Sequence, residues 1–84
     1  MECFVYRSRA RRDTYVYLAV RDAFSVLPAD LLNGLGELEF SMSLTLTPER
    51  RLAVEDASRV IDNLTSLGFH VQFPPNAHLV IRKY

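Results

Sequence analysis

The sequence predicts a single α+β domain, with a mainly antiparallel sheet of about four strands and two helices in the order strand, strand, helix, strand, helix, strand. Three observations predict it. Residues 37–46 alternate apolar and polar side chains without a break, residues 57–67 carry apolar side chains at helical spacing, and Gly68 then hands the chain to a second, shorter alternation. With 84 residues, 49% of them hydrophobic, the chain can build one core and not two. Residues 1–75 form the expected domain and residues 76–84 a short tail.

The first two strands are expected at residues 2–7 and 14–20, both rich in β-branched and aromatic side chains. The polar link between them is hairpin-sized, so they pair antiparallel. Alternation is expected to gather Cys3, Val5, Val16, Leu18 and Val20 on an aliphatic face and Phe4, Tyr6, Tyr15 and Tyr17 on an aromatic one. Pro28 suits the first position of a short helix, where a missing N–H costs nothing, and Asp30 sits where the helix dipole favours negative charge. Gly34 is the expected terminator, and Leu31, Leu32 and Leu35 supply the apolar contacts, helped by Phe24 and Val26.

In the third strand Leu38, Phe40, Met42, Leu44 and Leu46 fall on one side and Glu39, Ser41, Ser43 and Thr45 on the other, the pattern of a strand buried on one face. Thr47-Pro48 either turns the chain or starts a helix at once, two readings that differ over residues 48–53. Beyond them Ala57, Val60, Ile61, Leu64 and Leu67 form the stripe of the second helix, with Glu55 and Asp56 in its first turn. Burying each large residue of that stripe contributes about 1.5–3 kcal/mol, against about 1 kcal/mol for a cap, so packing holds this helix. Gly68 takes the left-handed conformation that ends it. Phe69, Val71 and Phe73 then alternate with His70 and Gln72 until Pro74-Pro75 stops regular pairing. Leu79-Val80-Ile81 in the tail is a candidate extra strand.

Lys plus Arg equals Asp plus Glu, so the whole chain offers no field that recruits nucleic acid or a membrane. The distribution is uneven: residues 1–21 hold five arginines against Glu2 and Asp13, a balance of +3, and the remainder balances at −3. Cys3 is the only cysteine, which excludes an intramolecular disulfide and paired-cysteine zinc patterns. A reducing, cytoplasmic setting is expected, with no leader and no membrane-spanning run.

Thr47-Pro48-Glu49-Arg50-Arg51-Leu52-Ala53, then Glu55-Asp56, Arg59-Val60, Asn63-Leu64 and, most specifically, Gly68-Phe69-His70-Val71-Gln72-Phe73-Pro74-Pro75 resemble the YcgL family of small bacterial proteins. Val5-Tyr6-Arg7-Ser8, Asp13-Thr14-Tyr15-Val16-Tyr17-Leu18 and Val26-Leu27-Pro28 extend the resemblance over the amino-terminal half. The resemblance implies an α/β/α sandwich on a small sheet. It implies no reaction, substrate, cofactor or catalytic set, so it carries no functional residues across.

Three functional readings stay open on the residues alone. The first is a non-enzymatic binding or adaptor module. Its surface combines a polar strand face, with Ser41, Ser43, Thr45, His70 and Gln72 on the side away from the main helix, and the rim Arg7, Arg9, Arg11 and Arg12. If Tyr6, Tyr15 and Tyr17 join that face, the same inventory suits single-stranded RNA, with aromatics stacking bases and arginines meeting phosphates. The bland alternative packs those tyrosines under the first helix. The third reading is a small enzyme with a shallow cleft in which His70 is a general base and Gln72 or Ser41 orients a substrate. Cys3 and His70 are not expected to pair, since alternation puts them on opposite faces. Asp13, Asp22, His70 and His78 lack metal-ligand spacing, Gly34-Leu35-Gly36 lacks the setting of a dinucleotide loop, and no cofactor is expected. An unidentified protein partner, and a homodimer through a sheet edge or the tail, complete the expectations.

Overall fold

The computed structural model describes residues 1–52 and 54–74. Strands β1 (Glu2–Ser8) and β2 (Tyr15–Leu18) are followed by a short 3-10 turn (Phe24–Val26) and helix α1 (Ala29–Leu35). Strand β3 (Leu38–Thr45), helix α2 (Ala57–Leu67) and strand β4 (Phe69–Gln72) complete the domain. The strands form one sheet in the order β3-β1-β2-β4, and every neighbouring pair is antiparallel. The expected tail strand lies outside the described residues.

One helix covers each face, which makes the α/β/α sandwich. On the α1 face Leu31 and Leu35 pack with Tyr6, Val16, Leu18 and Val71; on the α2 face Val60 and Leu64 pack with Cys3, Val5, Tyr17 and Leu46. Each face therefore mixes aliphatic and aromatic residues, and the expected sorting of the hairpin is corrected by its register. Val5 stands opposite Tyr17 and Tyr6 opposite Val16, so odd residues of β1 share a face with odd residues of β2. A register one residue different moves every side chain of a strand to the other face. The loop sets it: the Ser8 N–H donates to the Thr14 carbonyl at 2.9 Å, and Asp13 takes φ 55° in the turn. Val20, expected on the aliphatic face, lies beyond β2 and is 65% exposed.

The regular alternation of the third strand conceals a β-bulge. Val5 pairs with Met42 but Tyr6 pairs with Phe40, so Ser41 is an extra residue on β3. Leu38 and Phe40 consequently share the face of Tyr6, while Met42 and Leu44 share that of Val5 and Cys3. The expectation of one continuous apolar side fails because the strand changes layer at its midpoint. β3 is also an edge strand, and Phe40 and Met42 keep 40% and 51% of their surface in solvent.

Pro28 is the N-cap of α1 rather than its first residue, and the helix runs through Gly34 to Leu35. The terminator is Gly36, whose φ of 67° and ψ of −149° suit glycine alone. Between β3 and α2 the chain turns, with the Arg50 N–H on the Thr47 carbonyl at 3.0 Å and an isolated antiparallel bridge between Arg51 and Asp56. The Thr47-Pro48 choice therefore resolves as a turn. Asp56 caps α2 by accepting from the Ser58 N–H at 3.0 Å, so Glu55 and Asp56 precede the first turn instead of occupying it. Ala57, Val60 and Leu64 are buried, whereas Leu67, the last member of the expected stripe, is 56% exposed. Gly68 ends α2 in the left-handed conformation, φ 87°, and β4 starts at the next residue.

Candidate functional site

The hairpin end of the sheet carries a groove of about 510 Å³, lined by Arg7, Ser8, Arg9, Ala10, Arg11, Arg12, Asp13 and Tyr15. Its scaffold is a set of hydrogen bonds between the hairpin loop and the end of α1. The buried Ser8 hydroxyl donates to the Leu35 carbonyl at 2.6 Å and accepts from the Arg11 N–H at 3.0 Å. The Arg9 N–H donates to the Glu37 carbonyl at 3.0 Å. Arg11 Nε donates to the Gly34 carbonyl at 3.0 Å, placing a cation at the negative end of the helix. Gly36 lets loop and helix meet, because a Cβ there would stand 2.9 Å from the Cβ of Ala10.

Two of the four arginines already hold carboxylates. Arg7 Nη2 reaches Glu39 Oε1 at 2.8 Å, Arg9 Nη1 reaches Glu39 Oε2 at 3.3 Å, and Arg9 Nε lies 3.5 Å from Glu37 Oε1. These pairs are solvent-exposed, so each contributes at most about 1 kcal/mol to folding. Among the described residues, Arg11 and Arg12 have no carboxylate at ion-pair distance.

A second polar cluster lies under α2. His70 and Gln72 were expected on the side away from the main helix, but β4 pairs with β2 so that Tyr17 faces His70 and Tyr15 faces Gln72, on the α2 side. His70 is 6% exposed. Its Nδ1 lies 2.8 Å from Asn63 Nδ2 and its Nε2 lies 3.1 Å from Glu55 Oε1. An amide nitrogen donates, so Nδ1 is the acceptor and the ring hydrogen sits on Nε2, facing the carboxylate. The Tyr17 ring meets the imidazole edge to face at 5.6 Å, and its hydroxyl donates to Gln72 Oε1 at 2.8 Å. Burial, with the Glu55 charge second, pushes the Tyr17 phenol up to about 12. Every buried side-chain polar atom among the described residues has a partner.

Cys3 also faces α2, which corrects the expectation that it and His70 lie on opposite faces. They still do not pair. Strand β2 runs between β1 and β4, a separation of about 10 Å at ordinary strand spacing, and both imidazole nitrogens are engaged elsewhere. Burial pushes the Cys3 thiol up to about 11, away from the reactive thiolate.

Tyr6 belongs to the other face, 1% exposed, with its hydroxyl donating to Asp22 Oδ1 at 2.7 Å and accepting from the Asp22 N–H at 2.8 Å. Burial foremost, then the bond to the Asp22 carboxylate, raises its phenol above the ordinary range. The three tyrosines therefore do not form one platform, and only Tyr15, half-buried, reaches the groove. Ser41 and Ser43 are exposed on β3, on the far side of β1 from His70 and Gln72. Among the described residues no three His, Cys, Asp or Glu side chains gather as metal ligands, and no helix is long and apolar enough to cross a membrane.

A family model described as the YcgL domain matches residues 3–75. The chain belongs to the YcgL domain family. It is 49% identical over 75 residues to a YcgL domain-containing protein of Thioalkalivibrio sulfidiphilus, covering 89% of this chain and 93% of that one. It is 50% identical over 74 residues to one of Xanthomonas campestris pv. campestris, covering 88% and 86%. With one of Stenotrophomonas maltophilia the identity is 45% over 85 residues, covering 100% and 99%. In this YcgL domain the structure brings together Arg7, Arg9, Arg11, Arg12 and Tyr15, and Tyr15 also stands opposite Gln72 at the edge of the His70 cluster. Glu37, Glu39, Glu55 and Asn63 were missed from sequence. A signal for the first two existed, since Glu37 and Glu39 alternate across the start of β3 as Arg7 and Arg9 alternate across the end of β1.

Proposed function

We propose that this YcgL domain is a non-enzymatic binding module whose contact surface is the arginine-lined groove at the hairpin end. One observation carries the reading. Four guanidiniums gather around one groove on a chain of zero net charge, and two of them have no carboxylate partner among the described residues. Guanidiniums pair carboxylates and phosphates through directed, charge-assisted hydrogen bonds, so an anionic group on a partner fits this lining. The polar strand face leaves the reading, because His70 and Gln72 lie beneath α2. His70 has no free ring nitrogen for general-base work, and the enzyme reading loses the group it depends on.

Titration with poly-glutamate and with inorganic polyphosphate, followed by amide chemical shifts, tests the proposal. Salt-sensitive shifts confined to residues 7–15 and their neighbours on β3 support it. No shift with either polyanion at low salt removes it.

A further inference from the structure

Beside the groove, two of its arginines already hold carboxylates of this chain. Glu37 lies just ahead of β3 and Glu39 two residues on, and their carboxylates meet Arg9 and Arg7 from one side of an extended segment. Alternate residues of extended chain project to the same side, so this spacing lets consecutive carboxylates meet consecutive guanidiniums. Arg11 and Arg12 line the same groove and hold no carboxylate among the described residues, Arg11 having only Nε on the Gly34 carbonyl.

We infer that the partner is a polypeptide bearing an extended acidic segment, with carboxylates at alternate positions. Arg11 and Arg12, adjacent in the hairpin loop, receive carboxylates of that segment, while Arg7 and Arg9 already hold Glu39 and Glu37. The inference rests on the reading of the groove as an anion-binding surface and names its ligand. Carboxylates are favoured over a nucleic-acid strand on two grounds. Single-stranded nucleic acid is held by successive exposed aromatic platforms, whereas the Tyr6 and Tyr17 rings are buried and their hydroxyls bound to Asp22 and Gln72. A neutral chain also gives a polyphosphate strand no long-range attraction, while a short acidic segment needs only the local field of the groove.

Fluorescence anisotropy decides among three labelled probes: a peptide alternating Ser and Glu, a peptide of the same composition with its Glu residues contiguous, and a single-stranded RNA oligonucleotide. The alternating peptide binds best, and added salt weakens it. Arg12→Ala weakens it by about tenfold, Arg12→Glu by more, in protein whose circular dichroism is unchanged. Arg12 makes no side-chain ion pair among the described residues, so both variants leave the scaffold intact. Equal binding of the two peptides overturns the alternate spacing. Tighter binding of RNA through the same arginine overturns the acidic segment and leaves the groove reading standing. No binding of any probe at low salt overturns both.

Discussion

The two polar regions of this domain use similar side chains to opposite ends. Under α2, an imidazole, a carboxylate, two amides and a phenol are joined by hydrogen bonds, with the imidazole and phenol buried and the other three groups half-buried. At the hairpin end, four guanidiniums stand around an open groove and only Arg7 and Arg9 meet carboxylates among the described residues. A buried polar group must find its partners inside the fold, and a completed set ties elements together while leaving no valence for a ligand. Exposed charges carry no such obligation, so their unpaired members remain available. The histidine that looked most chemical in sequence has both ring nitrogens engaged within the fold, while the arginines expected at the rim of a binding face line an open groove.

Four substitutions sharpen or break this contrast, in descending effect. His70→Ala leaves Asn63 and Glu55 facing a void; it is expected to destabilise by about 2–4 kcal/mol in urea unfolding while leaving binding of anionic probes by the folded fraction unchanged. Lost binding at full stability would reverse the roles of the two regions. Gly36→Ala forces a side chain into a positive φ and against Ala10, and a cost of about 1–3 kcal/mol is expected in the same measurement.

Tyr17→Phe removes the bond to Gln72 for about 1 kcal/mol near neutral pH. Its larger signature is alkaline. Cys3 and Tyr17 hold their protons more tightly folded than unfolded, so stability falls as pH rises from the ordinary values near 9 and 10 through about 11 and about 12. Tyr17→Phe should flatten the upper part of that decline, and an unaltered profile would count against burial as its cause. Glu39→Gln is expected to change stability by less than about 1 kcal/mol, because its pairs are exposed. By releasing Arg7, and leaving Arg9 with Glu37 alone, it should tighten the alternating Ser-Glu peptide; weaker binding would mean that Glu39 orders the groove instead of competing for its arginines.

The elements were legible because they are local. The helical spacing of Val60 and Leu64, the left-handed Gly68 and the alternation of Phe69 and Val71 each depend on a few neighbouring residues. What was not legible depends on pairing between distant strands. Nothing within residues 14–20 reveals that Tyr17 will face Val5 and not Tyr6, since that parity is fixed in the loop at Ser8, Asp13 and Thr14. His70 was misplaced for the same reason, its face following from its opposition to Tyr17. Arg7, Arg9, Arg11 and Arg12 could be grouped because they follow one another from the end of β1 into the hairpin loop, whereas Glu39 joins them only through the pairing of β3 with β1.

The extra residue at Ser41 divides β3 into a half that serves the α1 layer and a half that serves the α2 layer. Chain length is thereby fixed at a point where no side chain is buried. Deleting a single residue there would close the bulge and send either Leu38 and Phe40 or Met42 and Leu44 to the wrong layer, whereas replacing exposed Ser41 with another polar residue would disturb little. Drift at this position should therefore be free in residue type and closed to insertion or deletion.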